Sequence, residues 1–147
     1  MSVIEPSTGD QTQNGQPHRM RVRVYYEDTD FSGFVYHASY LRFLERGRTE
    51  LLRGLAGDQS DLHREAQGLV FVVRRMSLDF VRPARMDDLL TVLTHTNSLR
   101  GASMQLTQEV RRDDATLVVA AVTVACVRDG RAVRLPEVLR RQLAPAG

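Results

Sequence analysis

The sequence predicts the α+β class: one long helix packed on an antiparallel sheet of about five strands that wraps round it. Three observations predict this. Apolar residues after residue 38 recur at spacings of three and four, whereas from Val70 onward they alternate with period two. The alternating segments are joined by short turns, which is antiparallel connectivity. Gly47 lies on the apolar stripe of the helix. Glycine there costs about 1 kcal/mol of helix propensity, and close approach of the helix to a sheet is the compensation.

Residues 1–19 are polar, contain Gly and Pro and lack periodicity, so they read as a disordered or extended tail with a solvated His18. The domain proper spans residues 20–134. Met20–Tyr26 alternates as a half-buried strand does, and the loop Glu27–Tyr36 follows. Leu41, Leu44, Gly47, Leu51 and Leu55 form the apolar stripe of a helix from about Ala38 to Arg53. Arg42, Glu45, Arg46, Arg48 and Glu50 fill much of its remainder, and Gly54 and Gly57 are stop signals. Asp58–Gly68 is polar and reads as a short helix or loop.

Four strands come next. Val70–Val81 is bulged near Arg74 and Arg75 and ends at Arg82-Pro83, because proline cannot continue a ladder. Asp87–Leu99 leads to a tight connection at Gly101. Ala102, Met104, Leu106, Gln108 and Val110 then alternate along a third strand up to the Asp113-Asp114 turn. Thr116–Val127 is apolar on both faces, which places it centrally, and Asp129-Gly130 closes it with a turn signal. Residues 135–147 form a C-terminal tail, with a short helix over Leu135–Leu143 opened by Pro136. One helix covers only one sheet face, so a homodimer or homotetramer is expected.

At 147 residues one domain is the natural count, with enough chain to bury a core. The net charge is only +2, and all 20 basic residues are Arg. No nucleic-acid motif or dense basic stripe accompanies them, which argues against a nucleic-acid partner. The lone Cys126 excludes an internal disulfide and a Cys-rich zinc site, and points to a reducing compartment. Residues 1–19 lack the apolar core of a signal peptide. Leu117–Val127 is shorter than the ~20 residues a membrane-spanning helix needs. The expected location is the cytoplasm, with peripheral placement at the inner membrane as a variant.

Reactive groups concentrate in Tyr25–Leu52, YYEDTDFSGFVYHASYLRFLERGRTELL. Asp28-x-Asp30-x-Ser32-Gly33 opens like a calcium-binding EF-hand loop, but the twelfth position, which needs a bidentate Glu, is Ser39. The other reading is catalysis. Asp30 stands seven residues before His37 at the helix entry, where unpaired N–H groups can hold an oxyanion. The carboxylate would attack an acyl carbonyl or activate water. Spacing alone does not decide, because acids before helices more often cap or form turns.

This run resembles the active-site segment of the 4-hydroxybenzoyl-CoA thioesterase branch of the hotdog-fold thioesterases. Within that branch it is most similar to the Tol–Pal-associated acyl-CoA thioesterases of Gram-negative bacteria. DFVRPARMDDLLTV, from Asp79 to Val92, resembles their strand–turn–strand segment, and the likeness spans Met20 to Val133. It implies a hotdog fold and hydrolysis of an acyl-CoA or acyl-carrier-protein thioester. No separate cofactor is implied, CoA being part of substrate and product. Asp30 is implied as the catalytic carboxylate, assisted by His37. The backbone near His37 would hold the oxyanion, with Tyr36 and Gly33 beside the substrate. Ser39 departs from the Asn frequent in this group, though Ser serves equally as an N-cap.

The remaining candidates have plainer readings. Arg74, Arg82 and Arg85 are candidates for CoA phosphates, with Arg75 and Arg100 also near strand ends. His63 lies in the polar connection, His95 is a half-buried strand residue, and Cys126 belongs to the core. No metal-ligand spacing links the histidines, and no G-x-S-x-G elbow is present. Two other classes compete with hydrolysis. A non-catalytic acyl-binding or scaffold protein of lipid synthesis or the cell envelope would bind acyl-CoA without releasing thiol. A hotdog dehydratase would change the absorbance of an enoyl-CoA.

Overall fold

The computed structural model describes residues 16–56 and 68–145. Strand β1 (His18–Arg23) leads through a 3-10 turn (Tyr26–Asp28) to helix α1 (His37–Ala56). Then come β2 (Leu69–Phe80), β3 (Leu89–Arg100), β4 (Ser103–Arg112), β5 (Ala115–Arg128), the short β6 (Arg131–Ala132) and helix α2 (Glu137–Leu143). The sheet is antiparallel in the order β1-β3-β4-β5-β2, with β6 on β5. This is the predicted α+β architecture, with β5 an inner strand as its apolar faces require.

The inner face of the sheet follows the period-two pattern. Leu90 and Val92 of β3, Met104, Leu106 and Val110 of β4, and Val118, Val122 and Val124 of β5 are buried. Against them α1 sets Tyr40, Phe43, Leu44, Leu51 and Leu55. Gly47 lies where the helix crosses the sheet. A Cβ there would sit 2.8 Å from Val92 Cγ1, 3.2 Å from Gln108 Nε2 and 3.3 Å from Thr94 Oγ1. The glycine is therefore the price of contact between helix and sheet.

Several boundaries moved, each for a local reason. β1 begins at His18, which is buried opposite Thr94 on the same face as Met20; it is not solvated. The strand ends at Arg23, because the Asp28 carboxylate accepts the Tyr25 N–H at 2.8 Å and turns the chain into the 3-10 turn. Leu41 is exposed and lies off the buried stripe, whose place Tyr40 takes. The β2 bulge falls at Val73/Arg75 as expected. Asp129 and Gly130 both take left-handed φ, which turns the chain into β6 and makes a sixth strand. The C-terminal segment forms the expected helix and is part of the core, since Leu135, Leu139 and Leu143 are buried. Gly57, His63 and most of both the predicted tail and the Asp58–Gly68 connection lie outside the described residues.

Candidate active site

The loop before α1 is a small hairpin. Thr29 bridges Val35, and Asp30 N–H donates to the Phe34 carbonyl at 3.0 Å. Gly33 N–H closes the turn onto the Asp30 carbonyl, and Gly33 itself takes φ +88, which only glycine adopts without strain. The Asp30 side chain completes the turn. Its Oδ1 accepts the Ser32 N–H at 2.8 Å and the Ser32 hydroxyl. Those two bonds, the hydroxyl foremost, hold Asp30 below the usual carboxylate range. Slight desolvation opposes the shift and the charge of His37 assists it. Asp30 is exposed, and among the described residues no hydrogen bond reaches its Oδ2. The carboxylate is thus ionised, oriented and half unoccupied.

Asp28 has a structural role. It is buried, and its carbonyl accepts both the Tyr36 N–H at 2.9 Å and the Ser39 hydroxyl at 3.1 Å. Ser39 is therefore no N-cap. It sits in the third position of α1 and ties the helix to the loop below. The same bonds sort the candidate oxyanion donors. The Tyr36 and Gly33 amides are already paired, to the Asp28 and Asp30 carbonyls. The His37 and Ala38 amides open the helix, and among the described residues neither has an acceptor. The positive end of the helix dipole adds to their pull on a developing negative charge.

A second loop, residues 81–88, supports the first. Ala84 carbonyl accepts the Val35 N–H at 2.8 Å, and the Tyr40 phenol oxygen accepts the Ala84 N–H at 3.0 Å. Asp88 anchors this loop through Arg112 at 2.8 Å and the Arg85 N–H at 2.9 Å. Arg85 bridges to Phe34, with its guanidinium 5.5 Å from the ring centroid, so it stands beside the Asp30 hairpin. Arg82 lies in the same loop. Arg74 is separate, six residues up β2 from Phe80, and Arg75 adjoins it. Arg100 sits at the far end of β3. Sequence reasoning missed Tyr40 and Phe80. Their rings lie 5.7 Å apart and Phe80 is 6.5 Å from the His37 ring, forming an apolar wall at the helix entry. An aromatic at position 40 on the buried helix face was the available signal.

One long helix packed on an antiparallel sheet, entered through the Asp30 turn and opening on the unpaired His37 and Ala38 amides, is the hotdog architecture. The sequence matches the thioesterase superfamily over residues 32–119, a span that starts two residues after Asp30. The chain belongs to the thioesterase superfamily. It is 48% identical over 110 residues to the Escherichia coli O6:H1 protein named acyl-CoA thioester hydrolase YbgC, covering 74% of this chain and 81% of that one. Among solved structures it resembles a probable thioesterase from Bartonella henselae, with TM-score 0.72 and 43% identity over 83% of this chain and all of that one. It also resembles a Thermus thermophilus thioesterase complexed with coenzyme A and Zn, with TM-score 0.71 and 28% identity over 85% and 90% of the two chains.

Proposed function

We propose that the protein hydrolyses an acyl-CoA thioester to the free acid and CoA, with Asp30 as the catalytic carboxylate. The observation that carries this reading is the exposed, ionised Asp30 beside the unpaired His37 and Ala38 amides. Its support is membership of the thioesterase superfamily and the 48% identity to YbgC. Asp30 Oδ2 attacks the thioester carbonyl, or takes a proton from the water that does. The helix amides receive the oxyanion, and one such donor is worth roughly 3–4 kcal/mol of barrier. CoA enters with the substrate and leaves as product, so the reaction as written uses no separate cofactor. His37 lowers the Asp30 pKa and flanks the reacting carbonyl. Arg82 and Arg85 of the 81–88 loop, the latter stacked on Phe34 of the Asp30 hairpin, are the residues proposed to meet CoA phosphates.

Release of free thiol from acyl-CoA tests the reading; purified protein that releases none contradicts it. A parallel assay with an acyl-carrier-protein thioester separates the two thiol carriers. We also propose a homodimer built on β2, an edge strand of 12 residues with no partner on its outer side among the described residues. Light scattering at twice the chain mass supports it, and monomer mass refutes it. No described helix is long and apolar enough to cross a membrane, and the proposed location is the cytoplasm, tested by fractionation.

A further inference from the structure

Strand β1 (His18–Arg23) is one edge of the sheet and β2 the other. Its even and odd residues face different ways. The Val24 N–H donates to the Asp88 carbonyl at 2.9 Å, and the register above it pairs Val22 with Leu90, Met20 with Val92 and His18 with Thr94. Antiparallel pairs alternate between bonded and non-bonded, so the even residues direct their main-chain groups to β3. Arg19, Arg21 and Arg23 are the non-bonded partners of Leu93, Thr91 and Leu89, and their N–H and C=O groups point away from β3. Among the described residues no strand lies on that side and no hydrogen bond reaches those groups. The open edge ends at Tyr25, whose N–H the Asp28 carboxylate accepts at 2.8 Å.

The side chains follow the same alternation. His18 and Met20 are buried, whereas Arg19, Arg21 and Arg23 are all exposed on the opposite face. At ~3.4 Å per residue the three arginines leave the strand about 6.8 Å apart. The Arg23 guanidinium donates to the Asp87 carbonyl at 2.6 Å. Among the described residues no carboxylate pairs with Arg19 or Arg21. Residues 16–24 hold these three arginines and no acid, in a chain whose net charge is only +2.

We propose that the β1 edge is a docking site for an extended acidic segment of another protein, added to the sheet as a further antiparallel strand. The register that leaves the edge open also sets every second residue of the added strand opposite Arg19, Arg21 and Arg23, so the segment carries acids at alternate positions. Other occupants match the edge less well. A second copy joined β1 to β1 sets arginine opposite arginine, which repels. A row of phosphates, in a nucleic acid or on an anionic membrane, offers acceptors alone and leaves the three outward carbonyls unmet. A peptide main chain offers donors and acceptors in the alternation the edge requires. Charge on an edge strand guards against self-pairing, and here the same charge selects an acidic partner. The site stands apart from the thioesterase reading, because neither Arg19 nor Arg21 belongs to the Asp30 site.

The probe is a fluorescein-labelled heptapeptide, Thr-Glu-Thr-Glu-Thr-Glu-Thr, titrated with the full chain at low ionic strength and followed by fluorescence anisotropy. Its partner probe carries N-methyl groups on the three glutamate main-chain nitrogens, which keeps the charge and removes the donors facing β1. The first peptide binds, and the methylated one binds at least about tenfold more weakly. Arg19→Glu together with Arg21→Glu raises the Kd of the first peptide at least about tenfold and leaves thiol release from acyl-CoA unchanged. Arg19→Gln with Arg21→Gln stands in should the charge-reversed protein fail to fold. No binding of the first peptide, equal binding of the methylated one, or an unchanged Kd in the variants overturns the proposal. Binding to phosphatidylglycerol vesicles without binding of the peptide assigns the edge to a membrane surface and also overturns it.

Discussion

Replacing Gly47 by Ala places a methyl group where α1 crosses the sheet. The new Cβ would stand 2.8 Å from Val92 Cγ1 and 3.2 Å from Gln108 Nε2. Gln108 is fully buried; its Nε2 donates to the Leu44 carbonyl and to Thr94 Oγ1, both at 3.0 Å, and its Oε1 accepts from Arg48. It has no room to retreat without breaking one of these bonds. Overpacking costs about 1–3 kcal/mol, and a buried polar group left unpaired adds about 1–3 kcal/mol. Helix propensity returns about 1 kcal/mol. The central balance is a loss of roughly 3 kcal/mol. Gly54→Ala is the control on the same helix, because a Cβ there meets nothing within 4 Å. It should stabilise by a fraction of the propensity gain. Urea unfolding measures both. The packing argument is refuted if Gly47→Ala is as stable as wild type, or if the two variants shift together.

Two further perturbations address the site. Ser32→Ala removes the largest cause of the lowered Asp30 pKa. In the proposed reaction the working form is the ionised carboxylate, so activity is lost as pH falls through that lowered value, and the acid limb of kcat/KM should move to higher pH in the variant. A limb that stays in place contradicts the role given to Ser32. Tyr40→Phe deletes the acceptor of the Ala84 N–H. It should cost about 1–3 kcal/mol of stability in thermal or urea unfolding and lower kcat by loosening the 81–88 loop behind the Asp30 hairpin. Unchanged stability contradicts the bond.

The readable parts of this molecule are those set by short-range periodicity. The switch from spacing 3.6 to spacing 2, the bulge near Arg75 and the cost of Gly47 all followed from neighbouring residues, and each has its counterpart in the structure. Leu41 was misplaced because a stripe of leucines and a stripe shifted by one residue have nearly the same spacing. Only contact with the sheet shows that Tyr40 faces inward. His18 was misread because tail composition masks a strand that gains its partner, β3, some seventy residues later. In the site, the loop and its two candidate groups were visible locally. Which amides are unoccupied was not. That depends on the Asp28 carbonyl turning to meet Tyr36 and Ser39, and on Ala84 returning from beyond β2 to hold Val35.

Asp30→Asn tests the central claim most directly, with Asp28→Asn beside it. Asn can still accept the Ser32 N–H but can neither attack nor take a proton, so thiol release from acyl-CoA should fall at least about a hundredfold at unchanged stability. Asp28→Asn keeps an acceptor for the Tyr25 N–H and should retain most turnover. Wild-type thiol release by Asp30→Asn, or a larger loss in Asp28→Asn than in Asp30→Asn, would contradict the account.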